Sequence, residues 1–229
     1  MKIQNEFSRN ATAYEQVNII QRKVLHDLIA KITDRPKRLL DVGCGSGGFY
    51  RAALWKIDAF VGIDFAKGML ALHPRSDTIE LIEGDFNDLS LFDPLYSRGF
   101  DRIVSSSALQ WATDLDATLA VLRAFDAPVS FSLFTSGTFR TLYEIASLPP
   151  LLRDEEETRR IISKHFGDAK VETRHYTLRF DSVREMFRYM KRSGVGAGRN
   201  ILGYREMKRI MHTYPLDHLE YEVVFVHQE

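Results

Sequence analysis

The segment LLDVGCGSGG, Leu39 to Gly48, constrains this chain more than any other, because it runs an apolar strand straight into a glycine-rich bend and then a helix. Glycines at Gly43, Gly45 and Gly47 let the backbone turn sharply and let a ligand approach without a Cβ in the way. Gly43, Gly45 and Gly48 also satisfy G-x-G-x-x-G, and Asp64 stands 21 residues after Gly43, where an acid meets a ribose. A dinucleotide and an adenosyl ligand both fit such a loop. The glycines alone do not choose between them.

Around the loop, segments rich in β-branched and apolar residues alternate with helical patterns. Arg38 to Cys44, Ala59 to Asp64, Thr78 to Asp85, Phe100 to Ser107 and Pro128 to Thr135 read as strands, and Gly47 to Lys56, Ala66 to Leu72 and Leu115 to Phe125 as helices. This rhythm predicts an α/β, doubly wound fold with a mostly parallel sheet under helices on both faces. Ahead of it, Thr12 to Lys31 puts Val17, Ile20, Val24, Leu25 and Leu28 on one helical face, and Thr12 with Glu15 fits a capping box. A leading helical cap over residues 1–36, lying on the carboxyl edge of the sheet, is expected.

The last third breaks the rhythm. Val171 to Phe180 alternates like an exposed strand, and Leu219 to Val226 is a terminal, antiparallel strand. Residues 181–214 form an insert between them. Ser182 and Glu185 make a second capping box there, Val183, Met186, Phe187 and Met190 make one apolar stripe, and a glycine-rich turn covers 193–198. The 229 residues are long enough for one domain with a helical lid.

Lysine plus arginine, 31, cancels aspartate plus glutamate, 31, so no global field recruits nucleic acid or membrane. The insert is the exception: Arg184 to Arg209 holds eight basic residues against two acidic ones. The single cysteine, Cys44, excludes a disulfide framework and reads as a small packing residue, not a nucleophile. The histidines show no metal-ligand spacing, and His26, His73 and His165 read as surface or helix-end residues, so no metal is expected. Without a signal-type amino terminus or a long apolar run, a cytoplasmic protein is expected, as a monomer.

The wider pattern separates the two cofactors. Asp41 precedes the first glycine by two residues, Asp64 ends the second strand, and Gly84-Asp85-Phe86 ends the third. Together these resemble the class I S-adenosylmethionine-dependent methyltransferases, whose Rossmann-like sheet the alternation fits. The resemblance implies S-adenosyl-L-methionine as cofactor, with the Gly43 and Gly45 backbone cradling its methionine half. Asp64 would then hold the ribose, Asp85 would contact the adenine amino group, and Phe65, Met69 and Phe86 would wall the adenine.

A finer resemblance lies in FDRIVSSSALQW, Phe100 to Trp111, and FSLFTSGTFRTLYEI, Phe131 to Ile145, with FSRNATAY at Phe7 to Tyr14, Gln21, and MKRSGV at Met190 to Val195. These are similar to the malonyl-acyl carrier protein O-methyltransferases of biotin synthesis. The chain departs from many of them where a proline-glycine-glycine turn is replaced by Phe125-Asp126-Ala127-Pro128. The resemblance implies methyl transfer to the free carboxylate of a malonyl thioester, on acyl carrier protein or coenzyme A. It places Tyr14 over the methionine moiety, Ser105 with its backbone at the cofactor's edge, and Gln110 and Trp111 around the acceptor.

A malonyl carboxylate is already ionised near neutral pH, so it attacks without a general base. It still needs a positive partner, for which Arg140 is the first candidate and Lys191 and Arg192 follow. Arg184, Arg188 and Lys191 would share one helical flank as a ridge suited to an acidic carrier protein. Two alternatives stay open: another class I methyltransferase acting on a small carboxylic acid or a quinone precursor, and a non-catalytic protein that binds the same cofactor.

Overall fold

The computed structural model describes residues 18–193 and 204–229, and the side chains of all of these except 191–193 and 204–206. Tyr14, the Thr12–Glu15 capping box and the turn at 194–198 lie outside the described residues. So do the side chains of Lys191 and Arg192.

Seven strands form one sheet: β1 (Arg38–Val42), β2 (Ala59–Asp64), β3 (Ile79–Glu83), β4 (Arg102–Ser106), β5 (Val129–Phe134), β6 (Lys170–Arg179) and β7 (His218–His227). Their order is β3-β2-β1-β4-β5-β7-β6. The first five run parallel, and β7 pairs antiparallel with both β5 and β6. Helices α1 (Ile19–Ile29), α2 (Gly48–Ala52), α3 (Lys67–Leu70), α4 (Leu115–Arg123), α5 (Arg140–Ala146) and α6 (Glu155–His165) precede β6. Two more, α7 (Val183–Ser193) and α8 (Tyr204–Thr213), lie in the insert between β6 and β7.

Strand β1 is nearly uninterrupted in its apolar character because both of its faces are covered. Leu40 and Val42 pack with Val61, Ile63, Ile103 and Leu119 on one side, while Leu39 packs with Phe60, Val104 and Phe49 on the other. On α1, Ile20, Val24 and Leu28 are buried, as the apolar stripe predicts, against Phe134, Tyr221 and Phe225 of β5 and β7. The insert joins the same cluster through Met186, Phe187 and Met190. Ser182 Oγ accepts from the Glu185 backbone N–H at 3.2 Å, the serine half of the expected capping box.

Some elements differ from their sequence reading. Helix α6 carries almost no apolar signal because it buries only Thr158 and Ile162; what starts it is Asp154, whose side chain accepts from the Glu157 N–H. Helix α2 is shorter than expected, ending at Ala52, since Ala53 turns into extended backbone. His73, read as a surface or helix-end residue, is instead buried, its ring against Tyr50 and Phe60. At the variant turn before β5, Asp126 itself takes a left-handed backbone at φ 51°, a conformation to which aspartate is better suited than most residues. Among the described residues no helix is long and apolar enough to cross a membrane.

Among the described glycines Gly43 leaves the least room: its φ is +77° and an added Cβ would meet the Ala108 Cβ at 2.2 Å. Gly43→Ala is expected to cost about 3 kcal/mol, from left-handed strain plus the clash. Gly99, at φ +59° with open space around it, provides the control: Gly99→Ala should cost only about 1 kcal/mol. Urea denaturation of the two variants measures the difference, and equal losses would show that close packing at Gly43 is not what matters.

Candidate active site

Between β1 and β4 the strand order reverses, so the loops leaving those two strands diverge and open a crevice at the carboxyl end of the sheet. A cavity of about 200 Å³ occupies it. Its floor is the glycine loop. The Gly43 and Cys44 N–H groups both donate to the Ile63 carbonyl, at 2.8 and 3.0 Å, which folds the loop back over β2. Asp64, at the end of β2, accepts from the Gly45 N–H at 2.9 Å and the Ala66 N–H at 2.7 Å. One carboxylate thus ties the loop to the next segment.

Asp41 lines the cavity, is 2% exposed, and receives no hydrogen bond among the described residues. Burial, reinforced by the charge of Asp64, pushes its pKa up to about 8. Burial raises Asp64 as well, against the pull of its two N–H donors. Cys44 is buried beside both acids, and burial and their charges push its thiol upward, which fits a packing residue. Phe65, Ala66, Met69 and Phe86 form the cavity's apolar flank on this side.

Asp85 sits beside that flank but outside the cavity lining: it is exposed, and its Oδ1 accepts from the backbone and side-chain amides of Asn87 at 3.0 and 2.9 Å. Ser105 is fully buried, with its hydroxyl on the Val42 carbonyl at 2.7 Å, and the cavity lining at this strand end is Ser106 and Ser107.

The other half of the cavity is walled by Trp111, Phe134, Phe139, Tyr143, Leu151 and Leu152. Gln110 reaches it too, with Nε2 donating to the Ser107 carbonyl at 2.6 Å. Ser107 and Phe139, at the exits of β4 and β5, both hold left-handed backbones at φ 58°. Such strain persists only where the surroundings over-determine it. At Phe139 Glu222 of β7 does so: Oε1 accepts from Thr135 Oγ1 at 2.6 Å and the Gly137 N–H at 3.1 Å, pinning the turn before Phe139, while the Ser107 N–H donates to the Ser132 carbonyl at 2.9 Å.

Arg140, the expected partner of an acceptor carboxylate, is not in the cavity. It is 68% exposed on α5 and faces Glu220 at 3.6 Å and Glu144 at 4.0 Å. The left-handed turn at Phe139 sends the phenyl ring inward and the next side chain out. What the sequence reading missed is the face of α1 made by Asn18, Gln21, Arg22 and Leu25, all of which line the cavity. Their spacing of three, four and seven was visible beside the apolar stripe, but nothing marked it as facing a ligand.

Comparison with known proteins bears on this geometry. A family model described as a methyltransferase domain matches residues 39–128, which hold the loop and both buried acids. The chain is 31% identical to the malonyl-acyl carrier protein O-methyltransferase of Geobacter sulfurreducens, over 93% of this chain and 90% of that protein. With the protein of the same description from Halorhodospira halophila it shares 26%, over 98% and 86%. Among solved structures, the YcgJ protein of Bacillus subtilis matches with a TM-score of 0.60 at 13% identity, covering 90% of this chain and 99% of that one, a likeness of fold.

The residues fit S-adenosylmethionine. Asp41 and Asp64, with the buried and unpartnered oxygens Asn18 Oδ1, Gln21 Oε1 and Gln110 Oε1, offer a set of acceptors, and Arg22 lines the same cavity. That cofactor brings an ammonium, a positive sulfonium and ribose hydroxyls for these acceptors, and a carboxylate for which Arg22 and the loop N–H groups are the donors at hand. Nearby positive charge favours ionised Asp41, so binding at pH 7 should release close to one proton, and affinity should rise with pH until about 8 and then level. Calorimetry in two buffers of different ionisation enthalpy reads the proton; buffer-independent heats would reject it. Because the folded pKa lies above the unfolded one, Asp41 weakens the unliganded fold as pH rises from about 4 to 8. Asp41→Asn should therefore weaken cofactor binding yet raise Tm at pH 8, by about 2–4 °C for each kcal/mol gained.

Proposed function

Because the chain belongs to the malonyl-acyl carrier protein O-methyltransferase family of class I S-adenosylmethionine-dependent methyltransferases, we propose that its own acceptor is the free carboxylate of a malonyl thioester, carried by acyl carrier protein. The methyl ester formed would prime pimeloyl and biotin synthesis. When bound, the cofactor supplies a methyl on positive sulfur; a carboxylate oxygen bonds to that carbon, the carbon–sulfur bond breaks, and its electron pair stays on sulfur.

The observation that carries this reading is the make-up of the acceptor half, where aromatic and aliphatic walls meet no histidine, lysine or glutamate among the described lining residues. An ionised carboxylate needs no proton removed, whereas a ring carbon ordinarily does. Apolar walls also suit the charge change, since opposite charges on the two reactants vanish together and water would favour the separated ions. Aligning oxygen, methyl and sulfur is the remaining task, and the turn that Glu222 pins before Phe139 holds part of the wall suited to it.

The carrier protein would dock on the insert. Arg184 and Arg188 of α7 and Lys208 and Arg209 of α8 are exposed there, and acyl carrier proteins are strongly acidic.

Incubation with labelled methyl donor and malonyl-carrier protein is expected to yield a base-labile ester on the acyl group. Activity on the carrier-linked substrate should fall steeply with added salt, while activity on malonyl-coenzyme A changes little. Label on a small free acid or a quinone precursor, with none on malonyl thioesters, would replace this acceptor with another; binding of the cofactor without any transfer would remove catalysis altogether.

A further inference from the structure

A phenylalanine is costly in a left-handed backbone conformation, because its Cβ crowds the carbonyl that follows. Phe139 holds such a conformation, at φ 58° and ψ 30°, directly before α5. Two glutamates of β7 keep it there. Glu222 fixes the turn before it through Thr135 and Gly137, and at Gly137 an added Cβ would meet that carboxylate at 2.5 Å. The Glu220 carbonyl accepts from the Phe139 N–H at 2.9 Å, and the Glu220 carboxylate accepts from the Thr141 N–H at 2.9 Å. Strain in a bulky residue, held from both sides, points to a use for its side chain.

What the turn does is drive the Phe139 ring inward. The residue is 2% exposed and lines the cavity. Its ring meets that of Tyr221 edge-on, with centroids 5.0 Å apart, and Tyr221 lies 6.0 Å from Phe134. All three are buried and all three line the cavity, so this side ends in a wall of interlocked rings. Such a wall does not yield to a larger ligand by one side chain turning away. It stands on β5 and β7, whereas Asp41, Asp64 and the glycine loop belong to β1 and β2, across the reversal point of the sheet.

We propose that Phe139 makes the site selective for an unbranched acceptor, its ring packing against the carbon next to the reacting carboxylate and leaving no room for a substituent there. This rests on the carboxylate acceptor read above and names the residue that selects among such carboxylates. In-line transfer fixes the attacking oxygen at the donor methyl, so the neighbouring carbon has no freedom to move away from the wall. A methyl branch on that carbon must then displace a ring whose backbone is clamped. The same close packing keeps water from the ions that the transfer neutralises.

The unaltered protein should prefer malonyl-coenzyme A to racemic methylmalonyl-coenzyme A. Phe139→Ala should shift that preference toward the branched acceptor by about 10- to 200-fold, the range that one such group is worth in an apolar pocket. Phe139→Leu should shift it the same way by less. Because the ring belongs to the core, the quantity to read is the ratio of kcat/KM for the two acceptors in one preparation, which does not depend on how much of it is folded. Phe139→Gly deletes the same ring yet suits the left-handed backbone, so it should match Phe139→Ala; a shift in only one of them would trace the effect to the turn and overturn the proposal.

Binding gives a second measurement. Affinity for S-adenosylhomocysteine should be unchanged in Phe139→Leu, and with that ligand bound the two thioesters should show the same preference and the same shift. A loss of S-adenosylhomocysteine affinity would give the ring to the cofactor and overturn the proposal. An unaltered protein indifferent to the branch, or a ratio that the variants leave unchanged, would also overturn it while leaving the malonyl reading intact. If the unaltered protein transfers no methyl to either thioester yet binds both with a preference that Phe139 controls, the proposed function falls and this inference stands. If it binds neither, both fall.

Discussion

The loop after β1 lies so close to the exit of β4 that only a residue without a side chain fits at Gly43, and most of the site follows from that contact. It brings the backbone of the first loop against Ala108, fixing the spacing between the two halves of the cavity. Asp64 then holds the loop from the other side through the Gly45 N–H. The floor is therefore clamped between β2 and β4, and the walls are built on rigid strand ends rather than on free loops.

The acids in that floor are poorly suited to the empty fold. Asp41 is buried without a donor among the described residues, and neighbouring Asp64 adds to its cost. A cationic ligand reverses the sign of both effects, so what destabilises the unliganded protein becomes binding energy. The same logic explains the unpartnered oxygens on α1: an interior normally satisfies its polar atoms, and exceptions gathered around one cavity point to a ligand.

Much of this was legible in the chain itself. The strand and helix alternation and the glycine loop follow local patterns, while the resemblance to a methyltransferase family singled out Asp41, Asp64, Phe65, Met69, Phe86, Gln110 and Trp111, and the structure brings these residues to one cavity. Asp85 marks the resolution of such reading. It lies next to a lining residue, but a shift of one position turns a side chain from the cavity to solvent. Arg140 shows the same limit in a turn, where a single left-handed residue reverses the direction of its neighbour.

What the sequence by itself determined was therefore the kind of site: local bonding and side-chain period dictate a bent glycine loop, an acid two residues before it and another at the next strand's end. Only the tertiary structure decided which side chains of α1 face the cavity. That depends on how α1 packs across β5 and β7, a contact between segments more than a hundred residues apart in the chain, for which no local pattern carries a signal. The apolar stripe of Ile20, Val24 and Leu28 sets the helix's rotation on the sheet, and that rotation, not any motif, turns Arg22 toward the cavity.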